Sequence, residues 1–196
     1  MKEVIRKTEV FLPYVQIRNW ETNIVINSLT TSSISLTYYL LSKEKPIHIR
    51  LLVPSDLNQF YFTFQEAFDD YSVDLRLDRK AFDRRMLDKL GIDWGLSVGA
   101  FSGDKMVGFI AHTANYYQNQ PYAYNGGTGV IPEYRGLNLT VHMYDLAIKH
   151  LRDRKIDRCV LEVIDHNRSA IDAYSKVGFK KTRILKCYKV TNAFST

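Results

Sequence analysis

Residues 132–140 read PEYRGLNLT. A proline turn leads into an Arg-Gly pair, and a helix-like run, LNLTVHMYDLAIKHLRDR, follows. A strand-like stretch, GGTGVI, stands in front. A strand that passes through a short loop into a helix start makes an anion site. The N–H groups of a first helical turn have no partner, and the helix dipole adds partial positive charge there. Arg135 places a full charge beside it. Glycine is the usual choice where such a backbone must approach a ligand, yet Asn138 and Thr140 stand in this loop. The hydrogen bonds come from main chain, and Asn tolerates φ > 0 better than most residues. The loop is therefore expected to hold an anion, with the Thr140 hydroxyl as a further donor.

Working outward, the helix after the loop places Leu139, Met143, Leu146, Ala147 and Leu151 on one face. RCVLEVI (158–164) is a nearly continuous apolar run, as in a central buried strand. NRSAIDAYSKV is a short helix that stops at Gly178, and ILKCYKV (184–190) reads as a last strand. Upstream, LSVGAF and MVGFIAHTA flank the turn SGDK, and PYAYNGGTGVI is another strand. IHIRLLV (47–53) is a strand, and Pro54-Ser55-Asp56 opens the helix DLNQFYFTFQEAFDDY. A second helix spans about 78–90, closed by Gly91. The order β-α-α-β-β-β-α-β-α-β predicts a mixed α/β sheet with helices on its faces. Residues 1–46 differ: their β-branched and aromatic residues punctuated by Ser and Thr predict short strands or an irregular wrap. They are read as an extension, and 47–196 as the domain.

The chain has 196 residues, 45% apolar and 24% charged, and a formal net charge of +6. These values fit one ordinary folded domain. The positive charge is compatible with nucleic acid, an acidic membrane surface, a polyanionic cofactor or simple basicity. Lys and Arg alternate with Asp and Glu throughout, so no nucleic-acid arm is expected. Cys159 and Cys187 match no metal or redox spacing and are expected as buried free thiols. No metal site is predicted. No stretch approaches the ~18 apolar residues of a membrane span. MKEVIRKTEV is not followed by an apolar core, so no signal peptide is read and a cytoplasmic location is expected.

LEVIDHNRSAIDAYSKVGF (161–179) sets Asn167, Ala170, Tyr174, Gly178 and Phe179 in a fixed relation after the buried strand. With PEYRG and its helix in the right order, the sequence from 47 to about 190 resembles the Gcn5-related N-acetyltransferase family. The resemblance implies a twisted, mostly antiparallel sheet flanked by helices on both faces, with acetyl-CoA as cosubstrate. It also implies that main-chain N–H groups of the loop Arg135, Gly136, Leu137, Asn138, Leu139 and Thr140 take the pyrophosphate. The family pattern, Arg/Gln-x-x-Gly-x-Gly/Ala, is departed from at Asn138 and Thr140. Gly129 and Val130 end the strand whose backbone pairs with pantetheine, and the Val130 N–H is the candidate oxyanion donor. Asn167 would bond the pantetheine arm, and it also fits a helix N-cap.

Transfer needs a deprotonated amine, a donor for the oxyanion and an acid for the thiolate. The resemblance makes Tyr174 the acid; its bland alternative is a packing ring. Glu162, a lone acid in RCVLEVI, is the base candidate, because the LEV…N..A…Y stretch is similar to ribosomal-protein N-terminal acetyltransferases. Pairing with Arg158 or Arg183 is its alternative. Asp69, Asp70 and Asp74 could attract a cationic amine or simply be solvated. Tyr116, Tyr117, Tyr122 and Tyr124 could wall an acceptor cleft or pair across strands. Glu133, His112, Asp165 and His166 are weaker candidates for chemistry.

The resulting expectation is an acetyl-CoA-dependent N-acetyltransferase acting on a primary amine, either a small molecule or a protein N-terminus or lysine, by direct attack in a ternary complex. Two rivals stand beside it: a non-catalytic acyl-CoA-binding sensor, and an RNA-directed acetyltransferase suggested by charge alone. No membrane or nucleic-acid partner is expected. Residues 1–46 could add strands, cover the cleft or mediate a homodimer, and a protein starting at Ile47 should keep cofactor binding.

Overall fold

The computed structural model describes residues 14–16, 46–71 and 74–186. One seven-stranded sheet organises them. Its strands are β1 Tyr14–Gln16, β2 Ile47–Leu51, β3 Val98–Ser102, β4 Lys105–Tyr117, β5 Gln120–Val130, β6 Cys159–Glu162 and β7 Lys180–Lys181. Their order is β2-β3-β4-β5-β6-β1-β7. Every pairing is antiparallel except β5 with β6. The expected mixed, mostly antiparallel sheet is therefore present. Within the first 46 residues, Tyr14–Gln16 adds a strand between β6 and β7.

The helices are α1 Leu57–Ala67, α2 Arg79–Asp83, α3 Leu139–Asp153 and α4 Arg168–Val177. α1 turns Phe60, Phe64 and Ala67 inward. The Phe60 and Phe64 rings lie 4.7 and 6.0 Å from that of Phe109 on β4. Neighbouring Gly108 faces the opposite way, against Met143 of α3. Adjacent residues of a strand point to opposite faces, so α1 and α3 cover the two sides of the sheet. In α3 the buried set is Leu139, Met143, Tyr144, Ala147 and Leu151. Tyr144 takes the place expected for Leu146, which is only half-buried.

Two predicted elements differ. The second helix is not one regular α-helix: after α2 the chain widens into a π-helical turn over Arg84–Lys89, with Leu90 N–H bonded to the Arg85 carbonyl at 2.9 Å. Phe82 and Met86 are both fully buried on either side of that switch. The strand predicted at 184–190 is not formed over 184–186, where Ile184 is 63% exposed and has no sheet partner among the described residues. Residues 187–190 of that stretch, Cys187 included, lie outside the described residues.

Candidate active site

The sheet opens where the site lies. β5 pairs with β6 only from Ala123↔Cys159 to Asn125↔Leu161. Beyond Leu161 the two parallel strands part. On its other edge β5 carries a bulge: His112 faces Asn125 and Ala111 faces Gly127, so Gly126 is the extra residue. A cleft of about 620 Å³ fills the resulting wedge. Its lining includes Thr128, Gly129 and Val130 from β5, the start of α3, and Asn167, Ala170 and Tyr174 from α4.

The predicted phosphate loop lies at one end of the cleft. Arg135, Gly136, Asn138, Leu139 and Thr140 line it, as does Val141. Leu137 is half-buried and packs on the core. The first i→i−4 bond of α3 runs from His142 N–H to the Asn138 carbonyl at 3.2 Å. Among the described residues the N–H groups of Gly136 to Val141 donate to no other protein group. Asn138 is left-handed, φ 55°, and Gly136 has φ 81°. Asparagine thus occupies the positive-φ position directly before the helix. Lys176 of α4 approaches the same point, its Nζ 3.5 Å from Asn138 Oδ1. Sequence reasoning did not single out Lys176, because no pattern in SKVGF ties that lysine to a loop 38 residues earlier.

Arg135 is placed differently from the expectation of a charge aimed at the loop. Its guanidinium folds back on Asp70, Nη1 to Oδ2 at 2.5 Å and Nη2 to Oδ1 at 2.8 Å. It also donates to the carbonyls of Ala67 and Val130. The pairing holds the Asp70 carboxyl below the usual carboxylate range. Asp74 is paired with Arg76. Two of the three acids proposed to attract an amine are therefore already neutralised by arginines.

β5 supplies the wall. Ile131 donates its N–H to the Val107 carbonyl at 3.0 Å. By the alternation of antiparallel ladders, the N–H and C=O of Val130 then turn away from β4 and into the wedge. The N–H and C=O of Gly129 turn toward Phe109 on β4. What Gly129 provides is room: a Cβ there would lie 2.7 Å from the Phe109 ring and 2.9 Å from the Ala67 Cβ.

Asn167 does what a cap does and more. Its Oδ1 accepts from Ala170 N–H at 3.2 Å, and its Nδ2 donates to the Tyr71 hydroxyl at 2.9 Å. Tyr71 also lines the cleft, so this bond ties α4 to the segment after α1 across the opening. Tyr174 packs edge-on against Phe179 at 5.5 Å and Tyr144 at 6.3 Å. Burial pushes its phenol up to about 12, offset in part by the neighbouring Thr128 hydroxyl. The group is thus a protonated phenol at neutral pH.

Glu162 is the last residue of β6, one position beyond the last β5–β6 pair, at the apex of the wedge. It is half-buried and lies outside the lining of the cleft. His112 is fully buried; its Nδ1 donates to the Leu96 carbonyl at 2.8 Å and its Nε2 lies 3.6 Å from the Cys159 sulfur. Burial pushes that imidazole down to about 4 and the thiol up to about 12, so both are core groups. His166 sits beside Asp165 at 3.2 Å, and Glu133 is exposed. Tyr116 and Tyr117 are exposed at the β4–β5 hairpin tip, and none of the four hairpin tyrosines lines the cleft. Across the strands they face Pro121, Gln120, Asn115 and Thr113 rather than one another. Among the described residues no cluster of His, Cys, Asp and Glu could hold a metal, and no helix is long and apolar enough to cross a membrane.

Residues 56–179 match the model of the acetyltransferase (GNAT) family. Solved structures with a similar fold include the NatC complex bound to Gag peptide and CoA, at 19% identity and TM-score 0.57, covering 70% of this chain and 86% of that one. A ribosomal-protein-alanine N-acetyltransferase from Brucella melitensis biovar Abortus 2308 aligns at 15% identity and TM-score 0.57, covering 75% and 99%. An aminoglycoside acetyltransferase from an uncultured soil metagenomic sample, in complex with sisomicin, aligns at 14% and TM-score 0.59, covering 74% and 97%. At these identities the likeness is one of fold. No curated protein matches the sequence.

Proposed function

The chain belongs to the acetyltransferase (GNAT) family, and from that premise we propose that it is an acetyl-CoA-dependent N-acetyltransferase acting on a primary amine. The observation that carries the reading is the wedge itself. Unpartnered N–H groups from Gly136 to Val141 stand at one end of it, and the protonated phenol of Tyr174 stands in its wall. The first suits a pyrophosphate at a helix N-terminus. The second suits a group that protonates a departing thiolate. Gly129 lets Phe109 and Ala67 close against β5, and the Val130 N–H is directed at the thioester oxygen. Asn167 bonds the arm once its amide exchanges from Tyr71.

In the reaction the amine nitrogen attacks the thioester carbon, and the C–N bond forms as the oxygen takes negative charge. The oxyanion collapses, the C–S bond breaks, and Tyr174 gives its proton to the sulfur. Glu162, at the apex, receives the proton lost by the amine. The buried, protonated Cys159 thiol supports direct attack in a ternary complex. Neighbouring structures are named with peptide and aminoglycoside ligands, which carry amines. That supports a primary-amine acceptor.

Glu162 lying outside the cleft lining favours a second reading, an acyl-CoA-binding sensor without transfer. Calorimetric titration with acetyl-CoA and with CoA, followed by thiol-release assays over an alanine-led peptide, a lysine peptide and sisomicin, tests both. Saturable binding with turnover supports the enzyme. Binding with no turnover supports the sensor. No binding removes both.

A further inference from the structure

Asp70 and Tyr71, just after α1, are adjacent in sequence, yet each grips a different bank of the cleft. Asp70 takes the Arg135 guanidinium of the loop before α3 in a two-pronged ion pair. Tyr71 turns to the other bank, where its hydroxyl accepts from Nδ2 of Asn167, the cap of α4, at 2.9 Å. The segment therefore crosses the opening as a strap. Asp70, Tyr71, Arg135 and Asn167 all line the cleft.

The two ends of the strap are unequal. At the Asp70 end two charge-assisted bonds are joined by the bonds of Arg135 to the Ala67 and Val130 carbonyls. Charge-assisted bonds are about twice as strong as neutral ones. At the other end the Asn167 amide is the sole hydrogen-bond partner of the Tyr71 hydroxyl among the described residues. The Tyr71 ring meets Phe68 edge-on at 5.3 Å, a contact within its own segment rather than with α4. One neutral hydrogen bond is thus the polar tie between Tyr71 and the far bank.

The Asn167 amide has a fixed orientation. Its Oδ1 accepts from the Ala170 N–H at 3.2 Å and from the Ser169 hydroxyl at 3.1 Å. A backbone N–H can only donate, so the oxygen stays on the first turn of α4 and Nδ2 is the end turned to Tyr71. A ligand that takes Asn167 from the cleft comes to the atom that Tyr71 holds.

We infer that the Tyr71–Asn167 bond is a latch across the cleft, that the coenzyme arm replaces Tyr71 on Asn167, and that the Asp70–Arg135 clasp holds while the latch opens. This rests on the reading of the cleft as the acetyl-CoA site. The coenzyme breaks one bond before it makes its own. By linkage, whatever fastens Tyr71 weakens coenzyme binding, and bound coenzyme frees Tyr71. Loss of the latch and loss of the clasp therefore act on affinity with opposite signs.

The test uses the full chain with CoA as the probe. Tyr71→Phe keeps the ring that meets Phe68 and removes the latch. CoA should bind about threefold to tenfold more tightly, the gain of one neutral hydrogen bond that no longer has to be broken. Equal binding overturns the latch and leaves the coenzyme reading standing. Weaker binding does the same, and would mean that Asn167 keeps Tyr71 and takes the arm with its second amide hydrogen. Failure of both proteins to bind CoA removes the coenzyme reading and the latch together. A second measurement needs no variant: amide hydrogen exchange over residues 68–71 of the parent. A bound ligand ordinarily slows exchange where it touches, whereas release of Tyr71 should speed it when CoA is saturating. Slower or unchanged exchange in that stretch overturns the proposal.

Discussion

Arg135 and Asp70, 65 residues apart, are joined by a two-pronged ion pair that closes the loop before α3 onto the end of α1. The same guanidinium reaches the Ala67 and Val130 carbonyls, so one side chain fixes α1, β5 and the loop before α3 together. The pair is well exposed, 42% and 55%, so solvent screening keeps its share of stability small. Arg135→Ala should cost about 1 kcal/mol or less in denaturant unfolding. The Asp70 carboxyl is depressed in the fold, so its contribution is present above its unfolded pKa and fades as pH falls through the folded one. Asp70→Asn should weaken acetyl-CoA binding a few-fold by loosening this clasp. Tighter binding in Asp70→Asn would show instead that Arg135 serves the phosphates and Asp70 restrains it.

Gly129 and Gly136 should fail in different ways. Gly129→Ala pushes a methyl to 2.7 Å from the Phe109 ring, and overpacking of this kind costs about 1–3 kcal/mol. The loss should appear in the unfolding midpoint. Around Gly136 a methyl meets nothing within 4 Å, but φ is 81°. Gly136→Ala should cost about 1 kcal/mol in strain and lose more in acetyl-CoA affinity than in stability. Matching stability losses for the two variants would contradict this division.

Periodicity and punctuation carried most of the fold to the page. The Asn167 cap, the α3 start and the strands around SGDK all follow from local residues, which is why they were legible. The left-handed Asn138 was legible for the same reason, since only a few residue types accept that backbone. Pairings between distant segments were not. Nothing near Arg135 announces Asp70, and nothing near Asn167 announces Tyr71, because those partners are set by how α1 lies on the sheet. The register bulge that brings Asn125 beside Tyr144 is likewise a tertiary choice, marked in sequence only by one more glycine in YNGGTG. Glu162 was read correctly as a residue of the buried strand, but its distance from the cleft depends on how far β6 diverges, which no local pattern encodes.

His112 should make the fold pH-sensitive. Its imidazole is neutral in the core with a pKa lowered to about 4, against 6.5 when unfolded. Between those values the unfolded chain takes up a proton that the fold refuses, so stability is full above about 6.5 and falls as pH drops toward 4. The fall could reach about 3 kcal/mol by the usual conversion of a pKa shift, before carboxylate effects are added. Urea midpoints at pH 7.5 and 5 should show it. His112→Gln, which removes the titrating group, should flatten that slope even if it is less stable at pH 7.5. A slope unchanged in His112→Gln would assign the pH dependence to other groups.

Tyr174→Phe separates chemistry from binding. The ring stays, with its edge contacts to Phe179 and Tyr144, so the cleft wall should be kept. Only the hydroxyl is lost. CoA and acetyl-CoA should therefore bind with affinities within about twofold of the parent, while kcat falls about 100-fold or more if the phenol is the acid. The pH profile adds a second readout. A phenol pushed up to about 12 stays protonated through pH 10, so the parent rate should show no alkaline decline in that range attributable to Tyr174. A rate that falls with a midpoint near 9 in the parent, and not in Tyr174→Phe, would mean the phenol ionises far more easily than its partly buried setting between α3 and α4 implies. An undiminished kcat in Tyr174→Phe would leave this residue as packing between α3 and α4, and the acid would have to be sought elsewhere along the wedge.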